Sequence, residues 1–200
     1  MDAEHGDSAA GARIGMWLFV ASEILFFGGL FLLYAMYRIQ HPAEFHAAAG
    51  HLSLLAGGVN TGILITSCLM ASLSVLALRL DRPRTSRILL VLTILLALAF
   101  LGVKAFEWVE KFRHGLFPGA AVLRSLSNGE NLYFSLYFSM TGLHALHVVI
   151  GVGLLATVLV LMGKGRVNAS RPVLFENIAL YWNLVDLIWF FLFPLFYLVP

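Results

Sequence analysis

Met16-Trp17-Leu18-Phe19-Val20-Ala21-Ser22-Glu23-Ile24-Leu25-Phe26-Phe27-Gly28-Gly29-Leu30 is an apolar stretch interrupted by one acid, Glu23. With its flanks it runs over residues 14–37, longer than the roughly 20 residues a helix needs to cross a bilayer. An ionised carboxylate at that depth costs roughly 2.5–3.5 kcal/mol on insertion scales. Such a group turns toward a protein partner, a water-filled cavity or a proton pathway, not toward lipid.

The rest of the chain follows the same pattern. Of its 200 residues 60% are hydrophobic and 12% charged, and mean hydropathy is +0.87. Soluble domains carry about 45–50% apolar residues, so this composition excludes one. Further spans are expected over 52–78, 87–109, 132–162 and 173–199. The links are short, which predicts an all-α integral membrane protein: one membrane domain, 1–200, built as a bundle of five transmembrane helices. The start, Met1-Asp2-Ala3-Glu4-His5-Gly6-Asp7, is acidic where a cleavable signal begins basic, so the first span reads as a retained anchor.

Lys and Arg set the expected orientation. Arg13, Arg79, Arg82, Arg84, Arg87, Lys164, Arg166 and Arg171 fall on one side; Arg38, Lys111, Arg113 and Arg124 fall on the other. The positive-inside rule then puts the N-terminus in the cytoplasm and the C-terminus outside. Because the basic residues sit at helix ends, the net charge of +2 points to topology and not to nucleic acid. Tyr34, Tyr37, Trp108, Tyr133, Trp189 and Tyr197 lie toward span ends, as interface anchors do. The aromatic run from Trp189 to Tyr197 reads as a surface facing lipid or another subunit.

Depth ranks the polar groups inside the spans. At about 1.5 Å of rise per residue, Glu23 and His144 both fall roughly 12 Å from the cytoplasmic edge, and His147 is expected three residues later on the same face. A Glu23–His144 hydrogen bond would lower the cost of burying either group. Asn60, Lys104, Glu107, Asn183 and Asp186 are expected to form an outer polar layer serving as interhelical glue. Within it, Lys104 and Glu107 stand at i and i+3 and are placed to pair. His144 and His147 invite a metal reading, but a tetrahedral site needs more ligands than Glu23 supplies, so no metal is expected. His5, His41, His46, His51 and His114 lie in the tail or links. The lone cysteine, Cys68, reads as a packing residue. Gly28, Gly29, Gly57, Gly58, Gly62, Ala71, Gly142, Gly151 and Gly153 mark expected close helix contacts. No P-loop, nucleophile elbow, HExxH or dinucleotide fingerprint occurs, so the chain carries no self-contained enzyme.

Four stretches carry a family resemblance. Trp17-Leu18-Phe19-Val20-Ala21-Ser22-Glu23-Ile24-Leu25-Phe26-Phe27 has the S/T-E-x-x-F-F setting of a buried glutamate. Thr141-Gly142-Leu143-His144-Ala145-Leu146-His147-Val148-Val149-Ile150-Gly151 matches T-G-x-H-x-x-H-V-x-x-G. Leu180-Tyr181-Trp182-Asn183-Leu184-Val185-Asp186-Leu187-Ile188-Trp189 resembles the closing Y-W-H-x-V-D-x-x-W motif, and Gly102-Val103-Lys104-Ala105-Phe106-Glu107-Trp108 resembles G-x-x-A-x-E-[YW]. Together they resemble subunit III of the haem–copper terminal oxidases, the cytochrome c and quinol oxidases, in its five-helix bacterial form. Asn183 stands where the family usually has histidine, and Lys104 where many members have glutamine.

The resemblance implies an accessory subunit that binds no haem or copper itself. It would pack beside catalytic subunit I, with subunit II and further respiratory-complex subunits nearby, in the bacterial cytoplasmic (inner) membrane. Haem and copper would lie in the partner subunits. The chain would hold phospholipid, support proton uptake and protect oxygen reduction from turnover inactivation. Glu23 and His144 would be the buried pair, with desolvation favouring a neutral or hydrogen-bonded acid. Three alternatives stand beside this: the accessory subunit of nitric oxide reductase, a small proton-coupled transporter, and a pure assembly scaffold. The transporter reading lacks the internal repeats and broken mid-membrane helices such proteins show; Pro194 is the one in-span proline and lies near the end.

Overall fold

The computed structural model describes residues 2–118, 120, 123 and 127–198, with residues 2–9 described by backbone alone. Arg124 and Val199, used in the readings above, lie outside the described residues. The helices are α1 (Asp2–Gln40), α2 (Pro42–Ala49), α3 (Leu54–Arg79), α4 (Pro83–Arg113), α5 (Asn128–Gly163) and α6 (Val173–Phe193), closed by a π-helical turn over Pro194–Leu198. Five of them, α1 and α3 to α6, are long and apolar enough to span a membrane. This is a multi-pass helical membrane protein.

Most helices outrun their apolar runs because polar residues terminate them. Pro83 opens α4, where its missing N–H costs nothing. Ser127 and Glu130 form a reciprocal capping box that starts α5. The link between α3 and α4 is three residues long, and Asp81 turns it at φ 53°, a left-handed conformation that Asp tolerates better than most residues. The resulting antiparallel hairpin is tied by Ser74 Oγ, which donates to Ser86 O at 2.7 Å. The short α2 was not expected as an element. Phe45, Ala48 and Ala49 bury its inner face against the start of α5.

The bundle is organised around α6, which packs on α3, α5 and α1. Over half of its most apolar window is buried (56%), against 11% for α1, so α6 is the central span and α1 the outlying one. In lipid, such packing rests on van der Waals contact and interhelical hydrogen bonds. Here Trp182 Nε1 donates to Ser67 Oγ at 3.0 Å, and Trp189 Nε1 donates to Thr61 Oγ1 at 3.1 Å. Leu18, Leu25, Leu32, Leu55 and Phe106 form part of the exposed apolar belt.

Three expectations are corrected. The aromatic run is not a surface: Trp189, Leu192, Phe196 and Tyr197 are buried, and Phe190 and Phe191 face outward. A helix in mid-bundle turns most of its circumference to neighbours, so composition alone does not place its rings. Tyr34, Tyr133, Trp189 and Tyr197 are core groups and not interface anchors. Tyr34 and Tyr133 donate their hydroxyls to the carbonyls of Leu195 (2.6 Å) and Phe196 (2.8 Å) at the closing turn. Of the small residues, Gly57 and Gly151 lie against bulky rings: an added Cβ would stand 2.8 Å from Phe193 and Tyr197, or 2.7 Å from Trp182. Gly28, Gly29, Gly58, Gly62 and Gly153 face open space.

Candidate functional site

Glu23 sits mid-span on α1 and faces α5. Its Oε2 lies 3.2 Å from His147 Nε2, with side-chain exposures of 17% and 15%. The contact is within hydrogen-bond reach but not aligned as one. His147 Nδ1 lies 2.8 Å from Leu143 O. A carbonyl only accepts, so Nδ1 carries the hydrogen and donates. Nε2 is therefore the ring nitrogen that faces the Glu23 carboxyl. Tyr181 OH donates to the carbonyl of His147 at 2.9 Å, tying this turn of α5 to α6. The pair borders a groove of about 360 Å³ whose walls include Met16, Phe19, Ile150 and Tyr181. The arrangement sets a carboxyl and an imidazole together at the edge of an apolar cleft.

His144 is not the partner of Glu23. It is fully buried, its ring edge-on to Phe100 (centroids 5.5 Å apart) and 5.2 Å from the Trp189 ring. Neither of its ring nitrogens has a hydrogen-bond partner among the described residues. Depth along the helix axis does not choose between the two histidines. Three residues also turn a helix by about 300°, which leaves the two rings on faces roughly 60° apart. His147 faces α1, and His144 faces α4 and α6. The two imidazoles do not converge, and no group of three or more potential metal ligands occurs among the described residues.

The expected outer layer divides into separate groups. Lys104 and Glu107 do pair, Nζ donating to Oε2 at 3.3 Å with both side chains 3% exposed. Lys104 also donates to Tyr137 OH (2.9 Å) and Tyr197 OH (2.8 Å), and both hydroxyls donate to Glu107 Oε1 at 2.8 and 2.7 Å. All three ammonium hydrogens and both carboxylate oxygens are thus occupied, which is the condition for burying an ion pair tolerably. Asn183 lies about 20 Å along the chain axis from Tyr197 and belongs elsewhere. It accepts from Cys68 Sγ at 3.2 Å and donates to Ser72 Oγ at 3.5 Å. Asp186 shares a groove wall with Asn183 and Cys68, its carboxyl oxygens buried and without a hydrogen-bond partner among the described residues. Asn60 is buried with neither amide atom partnered among the described residues.

Tyr137, Tyr181 and Tyr197 are the site residues that sequence reasoning did not assign. A signal was present, since a tyrosine inside an apolar span needs a partner for its hydroxyl.

The family model described as "Cytochrome c oxidase subunit III" matches residues 3–199. A "Cytochrome c oxidase subunit 3" of Thermostichus vulcanus is 30% identical over 201 residues, covering 98% of this chain and 90% of that protein. One from Corynebacterium diphtheriae is 30% identical over 188 residues, covering 93% and 87%. A "Heme-copper oxidase subunit I+III" of Aeropyrum pernix is 35% identical over 194 residues; these cover 94% of this chain but 22% of that longer protein. These names support neither the nitric oxide reductase reading nor the transporter reading. With four sequence motifs on five apolar helices and a match from residue 3 to residue 199, the chain belongs to the cytochrome c oxidase subunit III family.

Proposed function

We propose that this chain is the accessory subunit III of a respiratory haem–copper oxidase. It folds as a single membrane domain and lies in the bacterial cytoplasmic (inner) membrane, N-terminus in the cytoplasm and C-terminus outside. It packs directly beside subunit I, near subunit II and further respiratory-complex subunits. Haem and copper belong to those partners, where they reduce oxygen to water. Phospholipid acyl chains occupy the groove beside α1, and Glu23 with His147 holds a proton at its edge in support of uptake into subunit I. The Lys104–Glu107–Tyr137–Tyr197 group fixes the far end of the bundle, and His144 fills the core.

The observation that carries this reading is the Aeropyrum protein, whose name joins subunits I and III in one chain. A fusion of that kind suits two domains that work side by side. The test is affinity purification of this chain from its native membrane, followed by redox difference spectra and copper analysis. A haem–copper partner in fixed ratio supports the proposal. Elution alone, or with b-type haem and non-haem iron, contradicts it.

A further inference from the structure

Asp186 is a buried acid with no task in the proposed function. It is 7% exposed, and neither carboxyl oxygen has a hydrogen-bond partner among the described residues. Glu23 and Glu107, also inside spans, are matched: the first by His147, the second by Lys104 and two tyrosines. Asp186 stands midway along the last span, Val173–Leu198, with roughly 15 Å of hydrocarbon on either side. An acid at that depth turns toward protein or water, because lipid gives it nothing to bind.

The acid lines a groove of about 210 Å³ between α3 and α6, together with Ile65, Cys68, Asn183, Leu187 and Phe190. A cavity of about 150 Å³ takes a benzene ring, so this one admits a bulky side chain. Neighbouring polar groups are engaged elsewhere. Cys68 Sγ donates to Asn183 Oδ1 at 3.2 Å, Asn183 Nδ2 donates to Ser72 Oγ, and Thr61 Oγ1 donates to Gly57 O at 2.9 Å. Beside the groove α3 offers a strip without side chains. Gly58 and Gly62 are one turn apart and exposed, and a Cβ on either would meet nothing within 4 Å. Ile65 continues that strip and is also part of the groove wall. Small residues at this spacing let a second spanning helix approach closely.

The unmet acid selects among occupants. An acyl chain carries no hydrogen-bonding group, and a headgroup does not reach mid-membrane. A water needs two to four polar partners, and the groove leaves only Asp186 free to bind one. A second copy would present this same face, where the hydrogens of Thr61, Thr66 and Cys68 are already donated within the chain. A helix of a different chain meets every condition. A hydroxyl or carboxamide on it both donates and accepts, and so suits Asp186 as acid or as carboxylate. We propose that the Gly58–Gly62 strip and the Asp186 groove together dock a transmembrane helix of another protein, which places a hydroxyl or carboxamide side chain against Asp186. This surface is separate from the groove beside Glu23, and the inference goes beyond the subunit assignment.

The test traps the neighbour in native membranes, using the full-length chain with Ile65→p-benzoylphenylalanine and reading photo-adducts by mass spectrometry. The expected adduct is a peptide from a spanning segment of a different protein. Asp186→Leu and Gly62→Leu should each lower its yield about threefold, and both together about tenfold. Asp186→Asn keeps a hydrogen-bonding group of the same size and should hold the yield within about twofold. The same photoreactive residue at Leu98, half-exposed midway along α4, is the control, and its adducts should not respond to these changes. If Asp186→Leu does not fold, by elution profile, Gly62→Leu alone decides. Adducts only with lipid, with another small membrane molecule or with a second copy overturn the inference. So do yields indifferent to Asp186 and Gly62, or an equal loss at Leu98. A trapped protein without haem would uphold docking here while removing the oxidase assignment, so the two readings fail separately.

Discussion

His147 Nε2 and Glu23 Oε2 lie 3.2 Å apart, joining α5 to α1. The hydrogen on Nδ1 is committed to Leu143 O, so Nε2 is the ring nitrogen left facing Glu23. We propose that the two residues act as one unit. Glu23→Gln and His147→Gln should therefore be non-additive: the double variant shortens turnover lifetime no more than the stronger single variant does. Lifetime is read as the number of oxygen-reduction turnovers before half the activity is lost. Additive losses would show that the residues act separately.

His144 gives a contrasting expectation. Its nitrogens have no described partner, so an apolar ring of similar shape removes no hydrogen bond. His144→Phe should alter stability by less than about 1.5 kcal/mol and leave turnover lifetime intact. His144→Ala opens a cavity between Phe100 and Trp189 and should cost about 3 kcal/mol. Thermal unfolding in detergent measures both. A His144→Phe variant with the short lifetime of Glu23→Gln would move the functional imidazole to position 144.

The buried ion pair predicts a third outcome. Lys104→Met leaves the Glu107 carboxylate in the core with only tyrosine hydroxyls and should cost about 3–5 kcal/mol. Replacing both partners, Lys104→Met with Glu107→Leu, should cost less than either single change, because no uncompensated charge remains. Comparing the melting of the three variants decides it. A double variant worse than both singles would mean that the tyrosine contacts, and not the charges, hold the closing turn.

The five spans were legible because each apolar run exceeds the bilayer requirement, and Glu23 was legible as a costly charge within one of them. The Lys104–Glu107 pair followed from helical spacing alone. Its two tyrosines did not: Tyr197 reaches Glu107 from the π-helical turn Pro194–Leu198 that closes the last span. The partner of Glu23 was one turn away from the one expected. Depth is a coordinate along the helix axis, and the choice between His144 and His147 is a rotation about it. The same rotational blindness misplaced Tyr34, Tyr133 and Trp189, since an amphipathic ring serves an interface or a core equally well. The eight-residue α2 left no long apolar run to read.

Glycine supplies a stability test with an internal control. Gly151→Ala places a methyl 2.7 Å from the Trp182 ring and should cost about 1–3 kcal/mol. Gly153→Ala meets nothing within 4 Å and should be neutral or slightly stabilising in a helix. Equal melting of the two variants would mean that α5 and α6 pack less closely there than described.

The central claim is that this chain supports oxygen reduction carried out in a partner, with Glu23 as a proton-holding group. Its most direct test is prolonged turnover of the purified complex bearing Glu23→Gln, with proton pumping followed alongside. The account predicts unchanged haem spectra and initial oxygen consumption, with proton uptake impaired or activity lost in fewer turnovers than wild type. Full and durable pumping by Glu23→Gln would contradict it and leave Glu23 a packing residue.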